Sequence, residues 1–211
     1  MPVDVYWSFR SPYSYLATPG MLAIQRDFDV EVNLRVVLPL AVRAPDFFSP
    51  ENAKRGRYIM KDWPRTAEFL GMPHAWPSPD PIVQDMKTLE IAEEQPYIYR
   101  LSRLGIEAQR RGRGIEFAAQ ISSLLFGGTR DWHLNDHLAK ASARAGVELA
   151  EMERAIDGGT HLKEVEANQR RLEESGHWGV PTLVFEGEPF FGQDRIEILR
   201  WRLDQRGLAR A

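Results

Sequence analysis

The residues best placed to do chemistry lie near the start of the chain, in the segment Ser11-Pro12-Tyr13-Ser14. This segment follows a short β-branched and aromatic run, Val3 to Trp7, which is typical of a strand. Ser11 followed by Pro12 is typical of a helix start, because the hydroxyl caps free amides and a proline there loses no hydrogen bond. The sequence therefore predicts a strand, a tight turn and a helix with Ser11 as its N-cap.

A turn of this kind favours a bound anion. Free amides and the positive end of the helix dipole converge there, so that a thiolate is stabilised. In thioredoxin-like proteins the equivalent turn carries Cys-x-x-Cys, and the first sulfur has a lowered pKa for that reason. Here Ser11 and Ser14 stand where the two cysteines would stand. The simpler alternative is that Ser11 is only a structural cap, since serine is a common one.

The composition bounds the class of protein. The chain has 211 residues, of which 43% are hydrophobic, enough for a sizeable core. It contains no cysteine, which excludes disulfides and cysteine nucleophiles, so that any thiol chemistry needs a borrowed thiol. The formal net charge of -3 gives no global attraction for nucleic acid or an anionic membrane. We see no leader-like or membrane-spanning segment and expect a cytoplasmic protein with neither of these partners.

The order of the predicted elements indicates an α/β fold. The first strand, the first helix and a second strand from Val30 to Leu38 form a βαβ unit. Near the end of the chain, a charged helix from about His161 to Glu174 is followed by a strand from Thr182 to Phe185. A tight turn over Glu186 to Glu188, a short partner strand and a final amphipathic helix complete an αββα unit. This is the order of a thioredoxin-like fold with a large all-helical insertion after the second strand.

The block between these two units is predicted to be helical. Its candidate helices run over Ser49–Leu70, Gln84–Glu94, Tyr97–Arg111, Gly114–Phe126, Asp131–Ala145 and Leu149–Ile156. We therefore expect a discontinuous thioredoxin-like domain, residues 1–38 and 160–211, and a helical insertion domain, residues 39–159.

A second site signal is the segment Trp178-Gly179-Val180-Pro181-Thr182, in which a proline directly precedes a strand that looks buried. Proline cannot donate to the sheet ladder, so it belongs at a strand entrance. Most bonds before proline are trans. In the thioredoxin topology, however, a cis bond is expected at this place.

Four segments together resemble the 2-hydroxychromene-2-carboxylate isomerase family, the bacterial relatives of the kappa-class glutathione transferases within the wider disulfide-oxidoreductase group. They are Ser11–Leu16, the basic segment Arg55–Asp62, Gly179–Thr182 and Phe191–Arg195. The resemblance covers essentially the whole chain. It implies bound glutathione as cofactor, a small aromatic carboxylate substrate and a homodimer.

The resemblance also implies a role for individual residues. Ser11 would donate a hydrogen bond to the sulfur of glutathione, and Val180, before a cis Pro181, would pair with the cysteinyl backbone. The γ-glutamyl end would lie at Gln193, Asp194 and Arg195, with Asp194 taking its ammonium and Arg195 its carboxylate. Without the resemblance, Asp194 is equally well interpreted as a plain N-cap.

The substrate end of the site is less well matched to the family. Lys61 or Arg57 would supply a cation for the substrate carboxylate. The family commonly has an asparagine before its basic segment, and either Asn52 or Asp46 could take that place here. The aromatic residues of this region could form a slot for the substrate or simply core: Phe47, Phe48, Trp63, Phe69 and Trp76.

Three functions remain open at the level of sequence. The first is a glutathione-dependent isomerase acting on 2-hydroxychromene-2-carboxylate or a similar aromatic-degradation intermediate. The second is a kappa-type transferase that conjugates electrophiles, and the third is a redox-inactive thioredoxin-like module that binds peptides. We expect no metal site, because His133 and His137 lack further ligands. The arginine run from Arg100 to Arg113 is interpreted as a solvated helix face.

Overall fold

The computed structural model describes residues 1–44, 47, 52–85, 88 and 90–210. Within these residues, four strands form one sheet in the order β2-β1-β3-β4. The strands are β1 (Pro2–Trp7), β2 (Glu31–Val36), β3 (Thr182–Phe185) and β4 (Glu188–Phe191). β1 pairs in parallel with β2 and antiparallel with β3, and β3 pairs antiparallel with β4. The sheet is therefore mixed, with the first strand at its centre.

The first strand lies at the centre of the sheet and is largely buried on both faces. Val3, Val5 and Trp7 are fully buried on one face, and Tyr6 is buried on the other. Helix α1 (Pro12–Asp27) makes the crossover between the two parallel strands. A parallel pair requires a connection of this kind.

The β3–β4 hairpin turns on two residues. Glu186 and Gly187 have φ angles of 50° and 80°. Positive φ at both central residues is the condition for the turn that matches the twist of a hairpin. The predicted turn was one residue too long, because Glu188 already pairs with Phe185 in the ladder.

The remaining helices complete the architecture. They are α2 (Leu40–Arg43), α3 (Ala53–Phe69), α4 (Ile98–Arg110), α5 (Gly114–Phe126), α6 (His137–Arg144), α7 (Leu149–Ile156), α8 (His161–Glu174) and α9 (Ile196–Gln205). Among the described residues between β2 and β3, none pairs into the sheet. The predicted thioredoxin-like fold with a helical insertion is confirmed. The proposed domain boundaries stay a prediction, and α4 and α5 share one hydrophobic core with β2.

The predicted helix over 84–94 was wrong. Among its described residues, Gln84 and Ile91 form an isolated antiparallel bridge instead. The side chain of Gln95 explains the difference, because its Oε1 accepts a hydrogen bond from the Val83 amide at 2.8 Å. Its Nε2 donates to the Val83 carbonyl, also at 2.8 Å. Both backbone groups of Val83 are thus bound by a side chain outside the predicted helix.

One predicted helix starts later than expected, and the predicted start of another falls on residues that are not described. The helix predicted from Asp131 begins only at His137. Asp131 and Asn135 adopt positive φ, and the Trp132 indole is buried while donating to the Pro79 carbonyl at 2.8 Å. This contact holds the segment in a turn. The start predicted at Ser49 lies outside the described residues.

We expect Gly105→Ala to destabilise the protein, although alanine is the better helix former. A Cβ at Gly105 would lie 2.7 Å from Phe9 Cε2 and 2.8 Å from Val36 Cγ2. Both neighbours are fully buried. The overlap should cost about 1–3 kcal/mol, against roughly 1 kcal/mol gained in helix propensity. Urea unfolding should show a lower midpoint, whereas a raised midpoint would show that the two side chains move aside freely.

Candidate active site

Ser11 caps helix α1, as the sequence predicts. Its φ and ψ of -91° and 114° are extended, and its Oγ accepts a hydrogen bond from the Ser14 amide at 3.1 Å. Pro12 occupies the first helical position. The hydroxyl is therefore fixed at the positive end of a 16-residue helix, where a negative charge is stabilised.

The two sequence motifs meet at this hydroxyl. Ser11 Oγ also donates to the carbonyl of Val180 at 3.3 Å. The Val180–Pro181 bond is cis, as expected, and a second cis bond, Ser78–Pro79, was not foreseen. Among the described residues the Val180 amide has no hydrogen-bond acceptor. A hydroxyl, a helix terminus and a free backbone donor thus lie side by side.

The predicted γ-glutamyl subsite adjoins the cis proline. Gln193, Asp194 and Arg195 form a short 3-10 turn before α9. The Gly192 amide ties this turn to the site by donating to the Pro181 carbonyl at 2.9 Å. Arg195 Nη1 pairs with Asp194 Oδ2 at 2.7 Å, with the two side chains 50% and 60% exposed. A ligand that carries an ammonium and a carboxylate has one partner of each sign there.

The proposed substrate cations lie on helix α3. Arg57 and Lys61 are exposed and form no ion pair with a described residue. Asn52 directly precedes the helix without capping it through its side chain. Asp46, the other candidate for the family asparagine, lies outside the described residues. Among the described residues, the hydrogen bond from the Ser11 turn (residues 11–14) to α3 goes from Tyr13 to Asp62, and neither cation takes part in it.

Asp62 was missed by sequence reasoning. It accepts hydrogen bonds from the Tyr13 hydroxyl at 2.6 Å, the Tyr58 hydroxyl at 3.2 Å and Arg65 Nε at 2.8 Å. Burial acts to raise the pKa of Asp62, but these hydrogen bonds outweigh it and the pKa is lowered. Burial, followed by the hydrogen bond to Asp62, raises the pKa of Tyr13. The 58, 62 and 65 spacing on one helix face was the available signal.

We expect Tyr13→Phe to lower the free energy of unfolding by about 1–2 kcal/mol, because the Asp62 carboxylate, only 17% exposed, loses the hydrogen bond from a partly buried hydroxyl. Tyr58→Phe is the matched control. It removes a hydroxyl from the same carboxylate, but Tyr58 is 57% exposed, and its loss should cost under about 0.5 kcal/mol. Guanidinium unfolding of both variants compares them, and equal losses would contradict the assignment of Asp62 as the anchor of the Ser11 turn.

Asp80 fixes the proline-rich loop against the same turn. Arg10 donates to it through Nε at 2.8 Å and Nη2 at 2.9 Å. The Trp76 indole and the Ile82 amide each donate at 3.0 Å. The Arg10 guanidinium also lies over the Trp76 ring, 5.3 Å from its centroid. These contacts fix the side chain of Arg10, the residue before Ser11. No local sequence pattern could indicate them, because Arg10 and Asp80 are 70 positions apart.

The aromatic residues weighed as a substrate slot divide into separate groups. Trp63 is buried and packs edge-on against Trp76 and Phe126, at 6.1 and 5.8 Å between centroids. Phe69 is 86% exposed. Phe47 packs against Trp178 near the cis proline, at 4.9 Å. Phe48 lies outside the described residues. Core packing explains Trp63 and Trp76, but it does not explain the exposed Phe69.

The match to a protein family covers nearly the whole chain. The model of the DSBA-like thioredoxin domain matches residues 2–204. The chain belongs to this family. No curated protein sequence matches the DSBA-like chain significantly.

Solved structures extend the comparison of this DSBA-like protein. A 2-hydroxychromene-2-carboxylate isomerase is 21% identical, with a TM-score of 0.69 over 97% of this chain and 95% of that chain. A probable DsbA oxidoreductase from Streptomyces coelicolor is 19% identical, with a TM-score of 0.64 over 97% and 89%. The cytosolic disulfide reductase DsbM from Pseudomonas aeruginosa with GSH is 17% identical, with a TM-score of 0.61 over 97% and 100%. At these identities the likeness shows the fold.

Other sequence features of the DSBA-like chain have structural explanations. The arginine run forms ion pairs between helices, for example Arg110 with Glu164 at 2.8 Å and Arg111 with Glu151 at 2.9 Å. His133 precedes α6 and packs against Tyr97. In the described part of the chain, no three metal-ligating side chains converge. No described helix is long and apolar enough to cross a membrane.

Proposed function

We propose that this protein is a glutathione-dependent isomerase of 2-hydroxychromene-2-carboxylate or a similar aromatic-degradation intermediate. The observation that carries the proposal is the hydrogen bond of 3.3 Å from the Ser11 hydroxyl to the Val180 carbonyl, beside the cis proline. The fold shared with an isomerase of this substrate supports it, as does the similar fold of a disulfide reductase solved with GSH. The chain has no cysteine of its own, so the thiol must come from the cofactor.

The residues of the site fit glutathione. The Val180 amide, free of described acceptors, suits a short antiparallel pairing with the cysteinyl backbone. Asp194 and Arg195 match the ammonium and the carboxylate of the γ-glutamyl end. When bound, glutathione would supply a thiolate whose reversible addition to a conjugated carbon of the substrate makes a double bond single, so that this bond can rotate before glutathione leaves and the double bond re-forms.

Ser11 acts as a hydrogen-bond donor rather than as a nucleophile. A serine hydroxyl attacks only when a base activates it. Among the described residues, Ser11 Oγ contacts the Ser14 amide and the Val180 carbonyl, and neither is a base. Its proton can turn from the Val180 carbonyl to the sulfur, where it stabilises the thiolate together with the amides of α1.

The substrate carboxylate needs a cation, and α3 supplies two candidates. Arg57 and Lys61 are exposed and without a described ion-pair partner, so neither must break an existing bond. Asp62 holds the helix beside the Ser11 turn through Tyr13. We assign the carboxylate to Lys61 or Arg57, with Asn52 at the start of the helix as a further polar contact.

The test is to incubate the protein with 2-hydroxychromene-2-carboxylate, with and without glutathione. Isomerisation is followed by absorbance, and free thiol by titration. We expect isomerisation that depends on glutathione and leaves its concentration unchanged. Consumption of glutathione with a halogenated nitrobenzene, and no isomerisation, would assign the kappa-type transferase activity instead. Binding of unfolded peptide without affinity for glutathione would assign the peptide-binding module.

The assembly and location remain part of this proposal. We propose a cytoplasmic homodimer, on the resemblance to glutathione-dependent relatives. Sedimentation equilibrium measures the mass in solution, and a monomer at all concentrations would contradict the dimer.

A further inference from the structure

A stack of three aromatic rings flanks the cis proline. The His177 ring lies 4.0 Å from the Phe191 ring, centroid to centroid, with an angle of 25° between the planes. It also stacks on Trp178 at 5.2 Å and 19°, and the Trp178 and Phe191 centroids are 6.1 Å apart, so the three rings form a triangle. Phe191 and Trp178 are 41% and 47% exposed. The imidazole thus packs against both rings at the edge of the site.

The same imidazole holds the backbone next to Val180. Its Nδ1 accepts a hydrogen bond from the Gly179 amide at 2.9 Å. The Gly179 carbonyl accepts from Thr182 Oγ1 at 2.8 Å. A Cβ at Gly179 would lie 2.4 Å from Phe191 Cε2, so the backbone passes close under the stack. Side chains therefore fix both polar groups of the residue that precedes Val180.

The bond to Nδ1 exists only while the ring is neutral. A protonated imidazole donates through both nitrogens and cannot accept. Burial lowers the pKa of His177 from its ordinary value of 6.5, which keeps Nδ1 an acceptor near neutral pH. The charged group that contacts this segment is Arg43, which donates to the Trp178 carbonyl; burial lowers the pKa of Arg43 and the charge of Glu173 acts to raise it. Neither residue forms a hydrogen bond or ion pair with the imidazole itself, among the described residues.

We propose that His177 is a positioning residue, which holds the Gly179–Val180 backbone in the orientation that binds the cysteinyl backbone of glutathione and releases it when the imidazole is protonated. The inference rests on the proposed function. His177 Nδ1 accepts a hydrogen bond from the Gly179 amide. The next amide along the chain is that of Val180, which has no acceptor among the described residues and is available to glutathione.

Two variants separate the hydrogen bond from the stack. Asparagine at 177 can accept from the amide two residues on, as Asn commonly does in turns, but it has no aromatic ring and does not titrate. Phenylalanine keeps the ring stack and has no acceptor. If His177 acts through the hydrogen bond, His177→Asn should retain binding and His177→Phe should lose it. If only packing matters, the order is reversed.

The probe is S-methylglutathione, which has no thiol to titrate, with affinity measured by calorimetry between about pH 5 and 7.5. We expect the wild type to bind about tenfold more weakly once the imidazole is protonated, since one backbone hydrogen bond is lost. His177→Asn should bind with no pH step in this range. His177→Phe should bind about tenfold more weakly at every pH.

Amide NMR checks the backbone directly. The Gly179 and Val180 amide signals of the wild type should shift together with the titration of the imidazole, and in His177→Asn they should not. Wild-type binding that His177→Phe leaves unchanged, or a Gly179 signal indifferent to the titration, would overturn the role of His177 alone. A wild type that fails to bind S-methylglutathione at any pH would overturn the proposed function, and with it this inference.

Discussion

Replacing Ser11 by aspartate should raise the pKa of bound glutathione more than replacing it by alanine. Alanine removes a hydrogen bond to the thiolate, which contributes about 1.5–3 kcal/mol, or roughly one to two pKa units. Aspartate also places a negative charge beside the sulfur. Because aspartate is as good an N-cap as serine, it should preserve helix α1. The measurement is the ultraviolet absorbance of the bound thiolate against pH, with the isomerisation rate measured in parallel.

Ser14 provides the matched control for Ser11. It is the second serine of the same turn, and its buried Oγ has no hydrogen-bond partner among the described residues. Ser14→Ala should therefore leave the thiolate titration unchanged. If Ser11→Asp keeps wild-type activity and an unchanged titration, Ser11 is a structural cap and the catalytic role is wrong.

Removing Glu107 should produce the largest loss of stability that we predict. Its Oε2 accepts from His161 Nε2 at 3.0 Å, and its Oε1 from Arg111 Nε at 2.9 Å. The side chains of Glu107 and His161 are 11% and 2% exposed. Breaking such a buried pair leaves the partner unsatisfied, so Glu107→Ala should cost about 3 kcal/mol of unfolding free energy. Guanidinium unfolding measures it.

Glu151→Ala is the control for that experiment. Glu151 is the other carboxylate bonded to Arg111, but its side chain is 54% exposed. Its removal should cost under about 0.5 kcal/mol. Comparable losses in the two variants would contradict the importance of the His161 contact, which links α4 to the start of α8.

The pair of Glu107 and His161 also predicts a pH dependence of the protein's stability. Burial acts to raise the pKa of Glu107, but the hydrogen bonds from His161 and Arg111 outweigh it and the folded pKa is lowered. A carboxylate with a lowered folded pKa stabilises the protein above its unfolded pKa, and this contribution disappears as the pH falls through the folded value. The difference between the wild type and Glu107→Ala should therefore shrink below about pH 4.

Local signals explain which parts of the fold could be predicted. Helices α5, α7 and α8 begin and end at the predicted residues. A glycine follows the end of each helix within two residues, such as Gly127 after α5, and is a clear stop signal. The helix predicted over 84–94 does not form, because the side chain of Gln95 makes hydrogen bonds to both backbone groups of Val83, 12 positions away. Local patterns contain no information about such a contact.

The candidate site divides in the same way. Ser11 as a cap follows from a short motif and the cis Pro181 from the thioredoxin topology, and the structure confirms both features. The contacts of Tyr13 with Asp62 and of Arg10 with Asp80 join residues 49 and 70 positions apart. His177 gave no signal, because a single histidine does not indicate that its ring accepts a hydrogen bond from the amide two residues on. The proposed binding roles of Asp194, Arg195, Lys61 and Arg57 remain predictions.

The central claim, that Ser11 and Val180 hold glutathione, is tested most directly by a crystal structure of the protein soaked with glutathione. We predict the sulfur within hydrogen-bonding distance of Ser11 Oγ, and the cysteinyl carbonyl accepting from the Val180 amide. We also predict that the hydrogen bond from Ser11 to the Val180 carbonyl is given up. Glutathione bound elsewhere, or a Ser11 hydroxyl still bonded to Val180 with no sulfur beside it, would contradict the account.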